Sequence, residues 1–381
     1  MLDVPFLEDS HRKLASRAEA FARGPVREEF AGEDERRARG LVEALARGGL
    51  LDYTTGEPGA ASSPRLDVRA LCIIREHLSY ESGLADLMFA MQGLGSFPIT
   101  LAGSSELKAR YLPSVRAGEY IAAFAITEPD AGSDVSAMKT SARRDGNDYV
   151  LNGEKTFISN AGLADFYSVF AKTDPDAGHR GISAFVVEKS APGFSVKEKL
   201  ELIAPHPIGR LAFEDCRIPA SSLVGSEGDG FKIAMSTLDT FRPTVGAAAA
   251  GLAWRALDEA ISYAKRRVQF GRPIAEFQST QMKLAEMATE MDAARLLIYR
   301  AAWKRDTEEG RVSLESAMAK LYATEAAQRI IDAAVQIHGG TGVLRGSTVE
   351  KLYREVRALR IYEGTSEIQK LVIASQLLKE G

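Results

Sequence analysis

The period of the hydrophobic pattern changes twice along the chain, and this double change constrains the fold more than any other feature. To about Ser114 the apolar residues recur at helical spacing: Leu14, Ala18 and Phe21, then Leu41, Leu45 and Leu50, then an amphipathic stretch over 68–80. From about Tyr120 to Ser226 the chain is cut into short runs rich in β-formers, over 149–151, 155–158, 167–172, 182–187, 194–199, 211–213 and 217–219. The helical period then returns from Phe231. Leu284, Met287, Met291, Ala294 and Ile298 share one face, and 313–338, 350–360 and 366–378 read as further helices. Helical, then β, then helical is an α+β order with the strands as a middle insert. Short strands at regular spacing predict a small barrel or sandwich, not a parallel sheet with crossover helices. The expected domains are 1–118, 119–227 and 228–381.

Turn residues punctuate this pattern. Residues 56–64 (GEPGAASSP) and 93–99 (GLGSFPI) read as breaks, Ser104 as the N-cap of a helix, and Asn152-Gly153 between two β-forming runs as a hairpin turn. At 381 residues and 45% hydrophobic the chain has ample material for a core, which excludes a disordered or collagen-like protein. Lys+Arg at 48 against Asp+Glu at 52 gives a net charge of −4, no footprint for nucleic acid or an anionic membrane. Cys72 and Cys216 have no metal-type spacing, and two cysteines make no disulfide framework. The first residues carry no apolar signal region, and the longest apolar run, 245–253, is far short of the roughly 20 residues that span a bilayer. A soluble cytoplasmic protein is expected, with no bound metal.

Five segments have the residue types of a ligand site, and each also has an ordinary structural reading. The loop 124–134 (FAITEPDAGSD) offers hydroxyls and a glycine that lets a ligand approach bare backbone, or it is a turn capped by Ser133 and Asp134. In 155–162 (KTFISNAG), Phe157 is able to pack on an aromatic ring and Ser159 to bond a ring nitrogen, or the run is a strand with a buried Phe. The basic turn 265–273 (KRRVQFGRP) suits a diphosphate, or complements a helix dipole. The glycine pair in 335–342 (VQIHGGTG) admits a phosphate-bearing ligand, or is a helix C-cap with His338 packed at its end. In 360–369 (RIYEGTSEIQ), Glu363 beside Ile361 and Tyr362 would lose solvation and gain the raised pKa of a general base, or it decorates a surface turn.

Taken together and in order, these segments, with LDTFRPTVGAAAAGLAWRALDEAISYAKRRVQFGRPIAEFQ, resemble the acyl-CoA dehydrogenase family over nearly the whole chain. These are flavoenzymes that oxidise the α–β bond of an acyl thioester. The resemblance implies an N-terminal helical domain, a middle β-domain and a C-terminal four-helix bundle. It implies FAD as cofactor, lined by Phe124, Ala125, Ile126, Thr127, Gly132 and Ser133, with Phe157, Ile158 and Ser159 covering and bonding the flavin ring. Arg267, Gln269, Phe270 and Gln278 would reach the ADP half of an FAD held by a neighbouring subunit, as would Gln336, Ile337, His338, Gly339 and Gly340. Thr365, Ser366 and Glu367 would touch FAD. Ser133, Asp239, Thr240, Phe241 and Arg242 would contact the CoA part of the substrate, Arg242 also steadying the catalytic turn, and Gly364 the acyl thioester. Glu363 matches the catalytic base.

The resemblance further implies a homotetramer built as a dimer of dimers and an electron-transfer flavoprotein as acceptor. An acyl-CoA oxidase and a carrier-protein-thioester dehydrogenase are rival activities on the same fold. A DNA-associated relative or a CoA-binding module without catalysis are rivals of another class; the charge argues against the first and Glu363 against the second. Three departures stand out. Phe157 sits where many relatives have Trp, and Ser159 where Thr is common. The stretch 201–209 (ELIAPHPIG) has two prolines and His206 where relatives commonly show Gly, Arg and Ser or Thr. His206 reads either as a group acting on an unusual acyl chain or as a turn cap.

Overall fold

The structure, a computed structural model, describes residues 4–26, 35–56 and 66–378. In chain order the elements begin with α1 (Asp9–Phe21), α2 (Glu35–Arg47), α3 (Asp52–Thr55), α4 (Val68–Glu81), α5 (Gly83–Ala102) and α6 (Ser105–Arg116). Eight strands follow: β1 (Ala122–Ala125), β2 (Ser141–Asp145), β3 (Asp148–Ser159), β4 (Phe166–Lys172), β5 (Ile182–Glu188), β6 (Phe194–Lys199), β7 (Ile208–Pro219) and β8 (Leu223–Val224). The chain then forms α7 (Gly230–Arg266), a small hairpin of β9 (Val268–Gln269) and β10 (Arg272–Pro273), and α8 (Gln278–Thr307), α9 (Ser313–His338), α10 (Thr348–Leu359) and α11 (Ser366–Leu377). The α+β order expected from the hydrophobic period is the order observed.

The chain divides into two compact units. One contains α1, α4 and the chain from Asp239 onward. In it α8 packs on α9, and α10 and α11 pack on α9 in turn, so that α9 is the central helix. Its buried face runs Ala319, Ala323, Ala326, Ile330, Ala334, and the small side chains permit this close neighbourhood. On α8 the expected stripe is buried at Met287, Met291, Ala294 and Ile298.

The other unit contains α2, α3, α6, most of α5 and the sheet. Its strand order is β6-β7-β3-β2-β4-β5-β8, with β1 paired in parallel to β4. The remaining extended ladders are antiparallel, and β2 meets β4 in parallel at Ser141 and Lys172. Strand β1 is pinned by Gln92, whose amide donates to the Tyr120 carbonyl at 2.8 Å and accepts from the Ala122 N–H at 2.9 Å. A buried strand start needs such a partner, since each unpaired backbone group costs about 1–3 kcal/mol.

Local readings differ from the structure in several places. Residues 93–99 do not break the chain; they are the interior of α5, and Pro98 lies within the helix. Gly95 serves close packing there, because a Cβ on it would stand 2.7 Å from the Ala123 nitrogen of β1. Asn152-Gly153 is no hairpin turn. It is an irregularity within the continuous β3, and the hairpin closes at Gly146-Asn147, where Asp145 pairs with Asp148. The short runs 211–213 and 217–219 are one strand, β7, because the long β3 gives both a partner. Helix α4 is buried on all sides from Val68 to Ser79, so it is a core helix and not an amphipathic one. Among the described residues one helix, α5, is long and apolar enough to cross a membrane by length and composition, with 89% of that window buried inside the protein. Of the loop read over 56–64, residues 57–64 lie outside the described residues.

Candidate active site

Between α10 and α11 the chain makes a tight turn that carries Glu363. The Ile361 and Tyr362 N–H groups bond the Ala358 carbonyl, and the Ser366 N–H bonds the Arg360 carbonyl at 3.1 Å, which closes the loop. Glu363 has φ +53° and Gly364 φ +94°. A left-handed glutamate is strained by about 1 kcal/mol or more and persists only where its surroundings impose it. Here they do. Lys320, from the middle of α9, donates to the Gly364 carbonyl at 2.8 Å. Gln369 on α11 donates to the Glu363 and Gly364 carbonyls at 3.2 and 2.9 Å. Thr365 caps α11, and Ser366 bonds Glu325, which also pairs with Arg360.

Glu363 is half-buried, and among the described residues its buried Oε2 has no hydrogen-bond partner. Burial raises its pKa above the ordinary carboxylate value. Three cations oppose the rise: Arg75, Lys320 and Arg242, in falling order. Arg75 is itself fixed, with a two-pronged pair to Asp86 at 2.7 and 2.8 Å and a bond to Thr244 at 2.9 Å. Burial lowers the Lys320 amine to about 8, against the pull of Glu363. A carboxyl with a raised pKa, a free oxygen and a clamped backbone is equipped to accept a proton from a bound molecule.

Asp239, Thr240, Phe241 and Arg242 are all buried on α7. Asp239 pairs with Arg242, receives Arg311 at 2.6 Å and Ser313 at 2.8 Å, and so stiffens the segment beside the Glu363 turn. Elsewhere in this unit Gln269, Phe270, Gln336 and Ile337 line one groove of about 420 Å³ with Phe277, Thr280 and Lys283. Phe270 is 94% exposed at the tip of the β9–β10 hairpin. Arg267 and Gln278 are exposed at the edges of this region but do not line the groove. His338 is buried, stacked on Tyr263 with ring centres 4.3 Å apart, its Nδ1 2.7 Å from the Ala334 carbonyl oxygen. Gly339 and Gly340 follow it on the surface, as does Glu367 at the start of α11.

In the sheet unit, β1 leads into the loop from Ile126 to Asp134. Phe124, Ala125 and Ile126 are buried, Thr127 is half-buried, and Gly132 and Ser133 are exposed. Glu128 shapes the loop. Its carboxylate accepts from the Lys139 and Thr140 N–H groups at 2.6 and 3.0 Å and pairs with the wholly buried Lys155 at 2.8 Å. The Thr156 N–H bonds the Thr127 carbonyl at 2.9 Å, so loop and β3 are stitched together. Between Lys155 and Ile158 the β3–β7 register shifts, and Phe157 takes φ +54°. The shift turns Phe157 outward, 59% exposed, while Thr156 and Ile158 stay buried. Ser159 then presents a half-buried hydroxyl 2.7 Å from the His206 Nε2. An exposed aromatic face with a hydroxyl two residues on fits a flat heteroaromatic ring such as that of FAD.

Arg75, Asp86 and Lys320 lie outside every segment that the sequence pattern offers as a site, and Glu128, Lys155 and Gln369 lie inside such segments without a role read for them. A charge inside an apolar helical run is the available signal, as in LCIIREHL and AMAKLYATEAA.

Family models for the N-terminal, middle and C-terminal domains of acyl-CoA dehydrogenase match residues 8–119, 123–216 and 228–378. The chain is 40% identical to the probable acyl-CoA dehydrogenase fadE25 of Mycobacterium leprae over 382 residues, all of this chain and 98% of that one. It is 41% identical to the 3-(aryl)acrylate reductase of Clostridium sporogenes, over 98% of this chain and all of that one. Among solved structures it is similar to the butyryl-CoA dehydrogenase of Megasphaera elsdenii, at 34% identity and TM-score 0.90 over 99% of this chain and all of that one. A structure described as the electron transferring flavoprotein of Acidaminococcus fermentans matches at 36% identity and TM-score 0.91, over the full length of both chains. The chain belongs to the acyl-CoA dehydrogenase family.

Proposed function

We propose that the protein carries out FAD-dependent α,β-dehydrogenation of an acyl-CoA thioester to the trans-2-enoyl-CoA, with Glu363 as the base. The observation that carries this reading is the half-buried Glu363 carboxyl, raised in pKa and with its buried Oε2 unpartnered. An α-proton of a thioester is weakly acidic, so the base must be desolvated and the thioester carbonyl must be held by donors. The Glu363 N–H, fixed by the clamped turn, would be one of them. Glu363 takes the α-proton, and Lys320 and Arg75 keep the carboxylate form accessible. Bound FAD would accept the β-hydrogen as hydride. Phe157 and Ser159 would hold its flat ring, with the loop from Phe124 to Ser133 around it. Gln269, Phe270, Gln336 and Ile337, with Arg267, Gln278 and the turn from His338 to Gly340, would receive the ADP half of a neighbouring subunit's FAD. Thr365, Ser366 and Glu367 would touch FAD from the catalytic turn. Asp239, Thr240, Phe241 and Arg242 with Ser133 would take CoA, and Gly364 the acyl group. The three domains proposed are 1–118, 119–227 and 228–381.

A cytoplasmic homotetramer that passes electrons to an electron-transfer flavoprotein completes the reading. The match to a structure described as an electron transferring flavoprotein, beside the likeness to butyryl-CoA dehydrogenase, supports the choice of acceptor. The 3-(aryl)acrylate reductase likeness favours trying aromatic acyl groups and the reductive direction on the same bond. The test is anaerobic mixing of the FAD-loaded protein with a panel of short-chain, branched and aryl acyl-CoAs. Loss of the flavin absorption band with at least one member is expected. No bleaching by any acyl-CoA, and no reoxidation of reduced protein by any enoyl-CoA, would contradict the reading.

A further inference from the structure

His206 belongs to the stretch that departs from the family pattern, and the fold holds it in a defined place. It stands between Pro205 and Pro207, two residues before Ile208, which pairs with Ser159 across the β3–β7 ladder. The Asn160 N–H bonds the Pro207 carbonyl at 2.7 Å and the Leu200 N–H bonds the Ile208 carbonyl at 2.9 Å, so the backbone directly after His206 is tied and the loop that carries it is closed at its ends. The result is a 2.7 Å hydrogen bond between His206 Nε2 and Ser159 Oγ. Burial lowers the His206 pKa to about 4, so the ring is neutral near pH 7. A neutral imidazole has one N–H and one bare nitrogen, and the hydroxyl has a single hydrogen. Only one of the two groups donates in this bond. If Ser159 donates to His206, it offers lone pairs alone to a ligand. If His206 donates, the Ser159 hydrogen is free for one.

The edge of an oxidised isoalloxazine ring carries two carbonyl oxygens and bare ring nitrogens against a single N–H, so acceptors dominate it. We propose that His206 is a positioning residue: its Nε2–H donates to Ser159 Oγ and thereby turns the Ser159 hydroxyl into a donor toward an acceptor on the flavin ring. This rests on the FAD reading given above. The bond runs through two groups of this chain, so the imidazole acts through Ser159.

The experiment is FAD titration of the apoprotein by fluorescence, together with the position of the visible flavin bands in the loaded protein. His206→Ala and Ser159→Ala are each expected to weaken FAD binding about three- to tenfold, the order of one neutral hydrogen bond, and to shift the bands in the same sense. The double variant should be no weaker than the Ser159→Ala single, because both changes remove one interaction. His206→Gln, which retains a donor, should recover most of the loss. Should His206→Ala fail to fold, His206→Phe fills the space without a donor and replaces it in the cycle. FAD affinity and bands unchanged in the His206 variants, or losses that add in full in the double variant, would overturn the proposal. A wild-type protein that takes up no FAD would instead overturn the functional reading itself.

Discussion

Glu363 sits where burial and charge pull in opposite directions, and the balance sets when it can act. Burial raises its pKa, while Arg75, Lys320 and Arg242 lower it. Only the carboxylate form takes a proton, so substrate-driven flavin reduction should fall as pH drops through a value above the ordinary glutamate range. Lys320→Met removes a cation that favours the carboxylate. Its expected effect is an inflection displaced to higher pH, read in the pH profile of flavin reduction by stopped flow. A profile unmoved or displaced to lower pH would contradict this electrostatic role of Lys320. The Glu363 environment is partly legible: burial does raise its pKa as the apolar neighbours suggest, although Ile361 itself is 52% exposed. The cations were not legible, because Arg75 and Lys320 lie 288 and 43 positions away in the chain and no local pattern joins them to the turn.

At the scale of elements, the ladder β3–β7 and the loop after β1 depend on one buried ion pair. Lys155 and Glu128 are both buried, and Glu128 also satisfies two backbone N–H groups. Removing one member of such a pair leaves an unpaired charge inside, at a cost of about 3–5 kcal/mol. Lys155→Ala is therefore expected to lower the urea midpoint by that amount of stability and to loosen the loop from Thr127 to Ser133. A midpoint within about 0.5 kcal/mol of wild type, the size of an ordinary surface change, would contradict this. The helical elements were well legible, since periodicity placed α9 at both ends and buried the stripe on α8. The strands were less so. The Asn152-Gly153 signal is real turn chemistry, but β7 offers β3 a partner on either side of it, and tertiary pairing wins. Pro98 in α5 shows the same: a proline removes one donor, and the buried packing of Gly95 on β1 retains the helix.

The molecule as a whole leaves large apolar side chains on its surface, Phe270 at 94% exposed and Leu371 at 64%. In the proposed tetramer a partner copy would cover the exposed hairpin tip at Phe270. Light scattering on a sizing column should give about four times the 41.2 kDa chain mass. A monomer at micromolar concentration would contradict the proposed tetramer, and Arg267→Ala in the assembled protein should release FAD more readily. In the proposed reaction one carboxyl, Glu363, does the proton chemistry. Glu363→Gln keeps the size and a hydrogen-bonding oxygen but accepts no proton near pH 7. The decisive measurement is exchange of the substrate α-hydrogen with solvent deuterium, followed by NMR beside flavin bleaching, in the FAD-loaded variant and wild type. Exchange and bleaching should both fall by about 100- to 10,000-fold while FAD stays bound. Wild-type exchange in the Glu363→Gln variant would contradict the account, because another group would then be the base.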